Sequence, residues 1–258
     1  MTASVAIVGY TGFLGSALAR DSGTRWLFNS ANIADIRGRR FDVVINAAGS
    51  SLKWKANKEP EEDRRKLLAL WEDLQTVEAQ RFVHISTIDI MPRVPWDEET
   101  PATESGALQP YGRHRREFEE WVCARFSRKV LVVRMPHLFG TGLKKNFVFD
   151  LLHNPGSLHL TDARDLFCFY DTANAWTDIM AFCARGLAVV NVAVEPMSAA
   201  DVAAHGFGLA FDNRTERGPA LYDMRTKVDY RGGATTGYMY TREETIQALR
   251  RFAKVSAC

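Results

Sequence analysis

The sequence predicts an α/β fold, a doubly wound parallel sheet carrying a small C-terminal lobe, and three observations lead to that expectation. Short apolar runs rich in Val and Ile recur along the chain without a period of two, as strands buried on both faces do. Amphipathic stretches of helical period separate them, and strand–helix alternation implies parallel neighbours. A glycine-punctuated turn joins the first apolar run to the first helical one.

The predicted strands are 4–8, 25–28, 42–46, 81–85, 129–134 and 188–194. The first leads into SVAIVGYTGFLGSALAR, where Gly9, Gly12 and Gly15 sit between strand and helix. In such a turn the first glycine permits the tight bend, the second a close approach of a pyrophosphate, and the third close helix–strand packing. Helix N–H groups then hold the phosphates, so Thr11, Phe13 and Leu14 join the three glycines as cofactor candidates. This makes the expected sheet Rossmann-type. The second strand ends in Phe28-Asn29-Ser30. Neither an acid for a ribose 2′-hydroxyl nor a base for a 2′-phosphate stands there, so Asn29 and Ser30 leave NAD and NADP both open.

Residues 60–80 read as a helix with an apolar stripe of Leu67, Leu68, Leu70, Trp71 and Leu74 and acids in its first turn. Residues 110–126 read as a second, begun by Pro110 and facing the core with Phe118, Trp121, Val122 and Phe126. On it Tyr111, Arg115 and Glu119 share a face one turn apart. A cation fixed beside a phenol lowers its pKa and makes it a usable acid or base. Taken alone, the stretch reads more simply as a surface tyrosine beside a helix salt bridge. Beyond residue 141 the pattern loosens: 142–156, 171–186 and 241–255 read as helices, the last with Thr241 and Glu244 at capping-box spacing, and 218–238 as irregular chain. The expected division is a dinucleotide-binding core over 1–140 and a lobe over 141–258, interleaved with the core's last elements.

Composition excludes several classes. A net charge of +2 argues against a nucleic-acid binder, and no apolar run approaches the length of a membrane span. Cys123, Cys168, Cys183 and Cys258 show neither disulfide nor zinc spacing, so no metal is expected. No signal peptide is apparent, and the expected location is cytoplasmic.

The glycine turn, NAAG (46–49), HISTIDIM (84–91) and YGRHRREFE together resemble the extended short-chain dehydrogenase/reductase family, and within it the nucleotide-sugar epimerases, dehydratases and reductases. The resemblance covers nearly the whole chain. It implies that DVVINAAG is the family's fourth-strand motif, passing Ala47, Ala48 and Gly49 beside NAD or NADP. It implies too that Asp35 and Ile36 meet the adenine, and that Pro136, His137 and Leu138 approach the nicotinamide carboxamide. RDLFCFYD (164–171) is similar to the family's Arg-Asp strand, making Arg164 a pyrophosphate contact. Asp89, His137, Lys145, Asn146 and Arg225 are further substrate candidates. A homodimer on the helices at 60–80 and 110–126 would suit the family.

The family's reaction uses a hydroxyl, a phenol and a lysine. Tyr111 takes the phenol's place and Thr87 the hydroxyl's, with Ser86 one residue off, while Arg115 stands where the family has lysine. An arginine keeps its charge and serves poorly as a proton relay. The dehydratases' Thr-Asp-Glu reads here Thr87-Ile88-Asp89, and isoleucine has no proton to give. The expected activity is therefore NAD(P)H-dependent reduction of a keto-sugar linked to a nucleotide, with Tyr111 as proton donor. Epimerisation through transient oxidation, and a non-catalytic NAD(P)-binding sensor or scaffold, are the alternatives.

Overall fold

The computed structural model describes residues 3–91, 95–101, 105–230 and 236–256. In chain order the first elements are β1 (Val5–Val8), α1 (Phe13–Ser22), β2 (Trp26–Phe28), β3 (Arg40–Asn46), α2 (Lys53–Lys58), α3 (Pro60–Leu74), β4 (Glu78–Thr87), α4 (Pro110–Phe126) and β5 (Val130–Met135). There follow β6 (His137–Phe139), α5 (Phe147–His153), β7 (Leu166–Phe167), β8 (Phe169–Asp171), α6 (Ala175–Ala184), β9 (Val189–Asn191), β10 (Met197–Ser198), α7 (Ala199–Asp201) and α8 (Arg242–Ser256). Among the described residues no helix is long and apolar enough to cross a membrane.

The chain packs as two compact units. One holds Met1–Pro92, Pro101–Arg134 and Asn174–Val190; the other holds Arg93–Thr100, Met135–Ala173 and Asn191–Cys258. The division is thus interleaved along the sequence. The chain returns to the first unit for α6 and the start of β9.

The sheet of the first unit runs β2-β1-β3-β4-β5-β9, a doubly wound α/β arrangement. The pairs β1–β2, β1–β3 and β3–β4 are parallel, with Val8 opposite both Phe28 and Asn46. Strand order turns back at β1, so the switch point of the sheet lies between the C-terminal ends of β1 and β3. Ligands of open α/β sheets bind in that crevice. DVVIN lies on β3, the third strand in chain order as read from the sequence, and Ala47 to Gly49 follow its C-terminal end. Between β2 and β3 stands only one turn of 3₁₀-helix, Ile33–Ile36.

One apolar cluster beneath α3 and α4 includes Val8, Phe28, Ile36, Leu67, Leu74, Phe82, Phe118, Val122 and Phe126, with Trp71 and Trp121 stacked at 5.4 Å on its margin. Of the predicted stripe of α3, Leu67 and Leu74 are buried in it and Leu70 and Trp71 pack against it, while Leu68 stays outside the cluster. That helix ends at Leu74, because the next residues extend to pair Glu78 with Arg40 on β3. Strand pairing overrides the helical pattern of the last turn, and β4 is accordingly longer than predicted. The short helix α2 went unread, since neither cap nor apolar stripe marks it.

In the second unit, β6 pairs parallel with β8, and β7 antiparallel with β10. Phe139, Phe147, Phe169, Val202 and Leu249 lie in its core. α7 continues into a turn of π-helix over Val202–Phe207. The capping box of α8 forms as read: Thr241 N–H donates to Glu244 at 2.8 Å, and Glu244 N–H donates to the Thr241 hydroxyl at 3.3 Å. Parts of 218–238 pair only through single bridges, such as Met224 with Trp96. Residues 231–235 and Cys258 lie outside the described residues.

Candidate active site

The glycine turn stands at the switch point. Gly9 has φ +85° and donates its N–H to the Phe28 carbonyl at 2.7 Å, closing β1 onto the end of β2. A Cβ on Gly9 would stand 2.7 Å from Ala48 Cα, and one on Gly15 would overlap the Gly9 carbonyl oxygen. Two backbones therefore meet where only glycine fits. Gly12 caps α1 with no side-chain hydrogen bond, and the first turn, begun by Phe13, Leu14 and Gly15, carries no acid. Its N–H groups and the helix dipole suit a diphosphate. These residues fit a dinucleotide.

The NAAG turn is fixed from within. Asn46 is fully buried, and its Oδ1 accepts from Ala48 N–H at 3.1 Å. Its Nδ2 faces His84 Nδ1 at 3.4 Å. Burial, and then the charge of Arg115, push the His84 pKa down to about 3, so this imidazole stays neutral. It stacks on Phe118 at 5.0 Å, as a core residue. Gly49 follows with φ +127°.

From that turn the site continues to α4. The Ser50 carbonyl accepts from Arg115 Nη2 at 2.7 Å, and Arg115 Nη1 pairs with Asp63 of α3. Asp63 also meets His114 Nδ1 at 2.9 Å. Burial works to raise the Asp63 pKa, but hydrogen bonds from Arg115 and His114 outweigh it and hold the carboxyl below its ordinary range. The Arg115 guanidinium lies 4.1 Å from the centre of the Tyr111 ring. Glu119, expected on the same face, pairs instead with Arg134 at 3.0 Å.

Tyr111 is buried, not a surface residue, and the Thr87 hydroxyl lies close enough to its phenol to act on its titration. Burial raises the Tyr111 pKa above 10, and the opposing charge of Arg115 does not bring it back. The expectation that Arg115 lowers it is corrected in its net result, because desolvation exceeds the cation's effect. The consequence is a phenol that keeps its proton. Ser86 is buried, and its Oγ has no hydrogen-bond partner among the described residues.

Three residues beyond the sequence-predicted set complete this region. Asn57 Oδ1 accepts the Tyr111 N–H at 2.9 Å, Lys53 Nζ lies 2.5 Å from Asp89 Oδ1, and Asp63 carries the Arg115 pair. A Cβ on Gly112 would overlap the Asp89 carbonyl oxygen, so α4 starts hard against the turn that follows Thr87. Their sequence traces were the polar run after NAAG, for Lys53 and Asn57, and the acids in the first turn of α3, for Asp63.

Other candidates are placed differently. Ile36 is wholly buried in the core, which leaves its side chain no surface for adenine; Asp35 beside it is exposed. Asn29 Oδ1 accepts Ala31 N–H at 2.9 Å, closing its own turn, and Ser30 is exposed. The remaining ones belong to the second unit. Pro136 is buried, and His137 packs edge-on against Phe167 and Tyr222. The Leu138 carbonyl accepts Asn146 Nδ2 at 2.8 Å, while Asn146 Oδ1 caps α5. Lys145 is exposed. Arg164 forms a two-point pair with Asp162 at 2.9 and 3.0 Å. Arg225 does the same with Asp223 at 3.2 and 2.9 Å. Both arginines spend their fork on a carboxylate two residues back, a D-x-R spacing visible in the sequence.

A glycine turn at the switch point of a doubly wound sheet, joined through NAAG to a buried tyrosine, defines a dinucleotide-dependent enzyme of the short-chain dehydrogenase/reductase class. Residues 26–192 match the model of the NAD dependent epimerase/dehydratase family, and the chain belongs to that family. Its cofactor is accordingly an NAD(P) dinucleotide, with the choice between the two forms open.

Among solved structures, it is similar to MoeE5 in complex with UDP-glucose and NAD, at 18% identity and TM-score 0.73, over 99% of this chain and 100% of that one. The NAD-dependent NDP-hexosamine 5,6-dehydratase TunA, of tunicamycin biosynthesis, aligns at 19% and 0.73 over 98% of each chain. The dTDP-4-dehydrorhamnose reductase of Bacillus anthracis, in complex with NADP, aligns at 17% and 0.71 over 98% of each. No curated protein sequence matches this chain.

Proposed function

We propose that this protein reduces the carbonyl of a nucleotide-linked keto-sugar, with Tyr111 donating the proton. The observation that carries the reading is the buried Tyr111 phenol beside Thr87, its pKa raised by burial so that the protonated form is favoured. A reductase needs its phenol protonated at the start of the cycle, whereas an epimerase working through transient oxidation needs it as a base. The nearby carboxylate that would serve epimerisation, Asp89, is occupied by Lys53. Ile88, at the first acidic place of the dehydratase motif, is buried and has no proton to give.

A dinucleotide held by the glycine turn would supply the hydride for the carbonyl carbon. The chain's residues do the rest. Gly9 to Gly15 and the first N–H groups of α1 hold the diphosphate, and Ala47 to Gly49 line its path along β3. Thr87 orients the reacting oxygen, and Tyr111 gives it a proton as charge develops. Arg115 stabilises the phenolate left behind, acting across the face of the ring in a site with little water. The substrate class is drawn from the solved structures with bound nucleotide or sugar.

The test is consumption of NADH and NADPH with a panel of UDP-, GDP- and dTDP-linked keto-sugars, beside Tyr111→Phe. General acid catalysis is worth roughly a hundredfold or more, so turnover in the variant should fall by at least about that factor. A loss smaller than about tenfold would remove Tyr111 from the proton-donor role.

A further inference from the structure

The substitution at position 115 leaves a gap in the chemistry. Once Tyr111 has given up its proton, something must return one, and a guanidinium does not release protons in the working range. Arg115 is moreover tied down by Asp63, the Ser50 carbonyl and the Tyr111 ring. It is a fixed charge.

A second cation, Lys53, acts on the Tyr111 phenol. Helix α2 carries Lys53 and Asn57 one turn apart, on one face. Asn57 bonds the backbone of Tyr111 at 2.9 Å and the side chain of Gln109, just before α4, also at 2.9 Å. That fixes α2 against the start of α4. Lys53 then reaches Asp89 at 2.5 Å, and Asp89 donates its N–H to the Thr87 hydroxyl at 3.2 Å. Gly112 lets α4 close against the Asp89 carbonyl, which brings the start of that helix onto the turn that carries the ion pair. Resting on the reading of Tyr111 as proton donor, we propose that Lys53, held by Asp89, is the positioning residue that returns a proton to Tyr111 in place of a lysine at 115.

The step balances simply. An N–H bond of the Lys53 ammonium breaks, and its proton passes through hydrogen-bonded hydroxyl or water to the phenolate oxygen, whose lone pair forms the O–H bond. The neutral amine left behind takes a proton from solvent, to which the side chain is 35% exposed. Lysine and tyrosine ordinarily titrate close together, so exchange between them is nearly even, as it is not for arginine. Among the described residues, the charged groups acting on the phenol are Arg115 on its own helix, Asp89 beyond β4 and Lys53 on α2. The two cations favour the phenolate and Asp89 opposes it.

Two measurements on Lys53→Met and Lys53→Arg test this. The first follows Tyr111 ionisation by NMR of ring-labelled tyrosine, assigned with Tyr111→Phe and recorded without substrate. The second is turnover against pH. Lys53→Met should move the Tyr111 titration upward and reduce turnover by about tenfold or more. Lys53→Arg keeps the charge and should leave the titration near that of the unaltered protein, yet fail to restore turnover. An unmoved Tyr111 titration in Lys53→Met, or full turnover in Lys53→Arg, would overturn the proposal. If the titration shifts as expected but the unaltered protein reduces no keto-sugar, the coupling stands and the reductase reading falls.

Discussion

Asp63→Asn is the most informative single change in the first unit. It keeps the shape of the side chain but removes the charge that Arg115 and His114 share. Arg115 is 7% exposed and Asp63 likewise, so the guanidinium would be left buried with a neutral amide and the Ser50 carbonyl as partners. Breaking a buried pair by removing one partner costs about 3–5 kcal/mol, against at most about 1 kcal/mol for an exposed one. At about 2–4 °C per kcal/mol for a protein of this size, the lower figure predicts a fall of roughly 6–12 °C in the thermal midpoint, read by calorimetry.

The effect also has a pH signature. The folded Asp63 carboxyl titrates below its ordinary value of 3.8, so the unfolded chain binds its proton first as acid is added. Its contribution to stability is therefore complete above that ordinary value and is lost as pH falls through the lower folded one. Asp63→Asn should be most destabilised near neutrality and draw closer to the unaltered protein in acid. A shift below about 2 °C at neutral pH would place the pair among exposed ones and refute the clamp on Arg115.

Three further outcomes are expected. Gly15→Ala forces a Cβ onto the Gly9 carbonyl and should weaken NAD(P)H binding by more than about tenfold, about 1.4 kcal/mol, measured by cofactor fluorescence, with the circular dichroism spectrum retained. In Gly112→Ala, helix propensity alone would favour alanine by about 1 kcal/mol, but the Cβ meets the Asp89 carbonyl. The variant should instead lose both denaturant stability and turnover, and a gain in stability would contradict the close approach of α4. Phe126→Ala removes a ring stacked on Phe82 at 3.9 Å in the core and should cost about 3–5 kcal/mol in urea unfolding with cofactor affinity little changed.

Much of the fold could be read from short-range pattern. Buried parallel strands are apolar throughout, and amphipathic helices repeat at their own period, so β1, β3, β5, α3 and α4 announce themselves. The glycine turn is legible for a related reason, because backbone contacts that exclude a Cβ leave a mark in residue type. Thr87 and Tyr111 were legible through their place at a strand end and a helix start.

What the sequence could not determine lies in distance along the chain and in burial. Arg115 meets Asp63, and Lys53 meets Asp89, across 52 and 36 residues, and no local pattern encodes which carboxylate a cation will find. The Tyr111 titration turns on how much water α4 excludes from the phenol, which depends on the packing of α2 and of the Ile88–Ile90 turn against it. Whether Ile36 is buried was likewise not legible: it packs into the core while Asp35 beside it is exposed. Residue types alone thus determined the sheet, the dinucleotide turn and the tyrosine. Only the tertiary structure decided which charges surround that tyrosine and that it keeps its proton, because desolvation and long-range pairing exist only once the chain has folded.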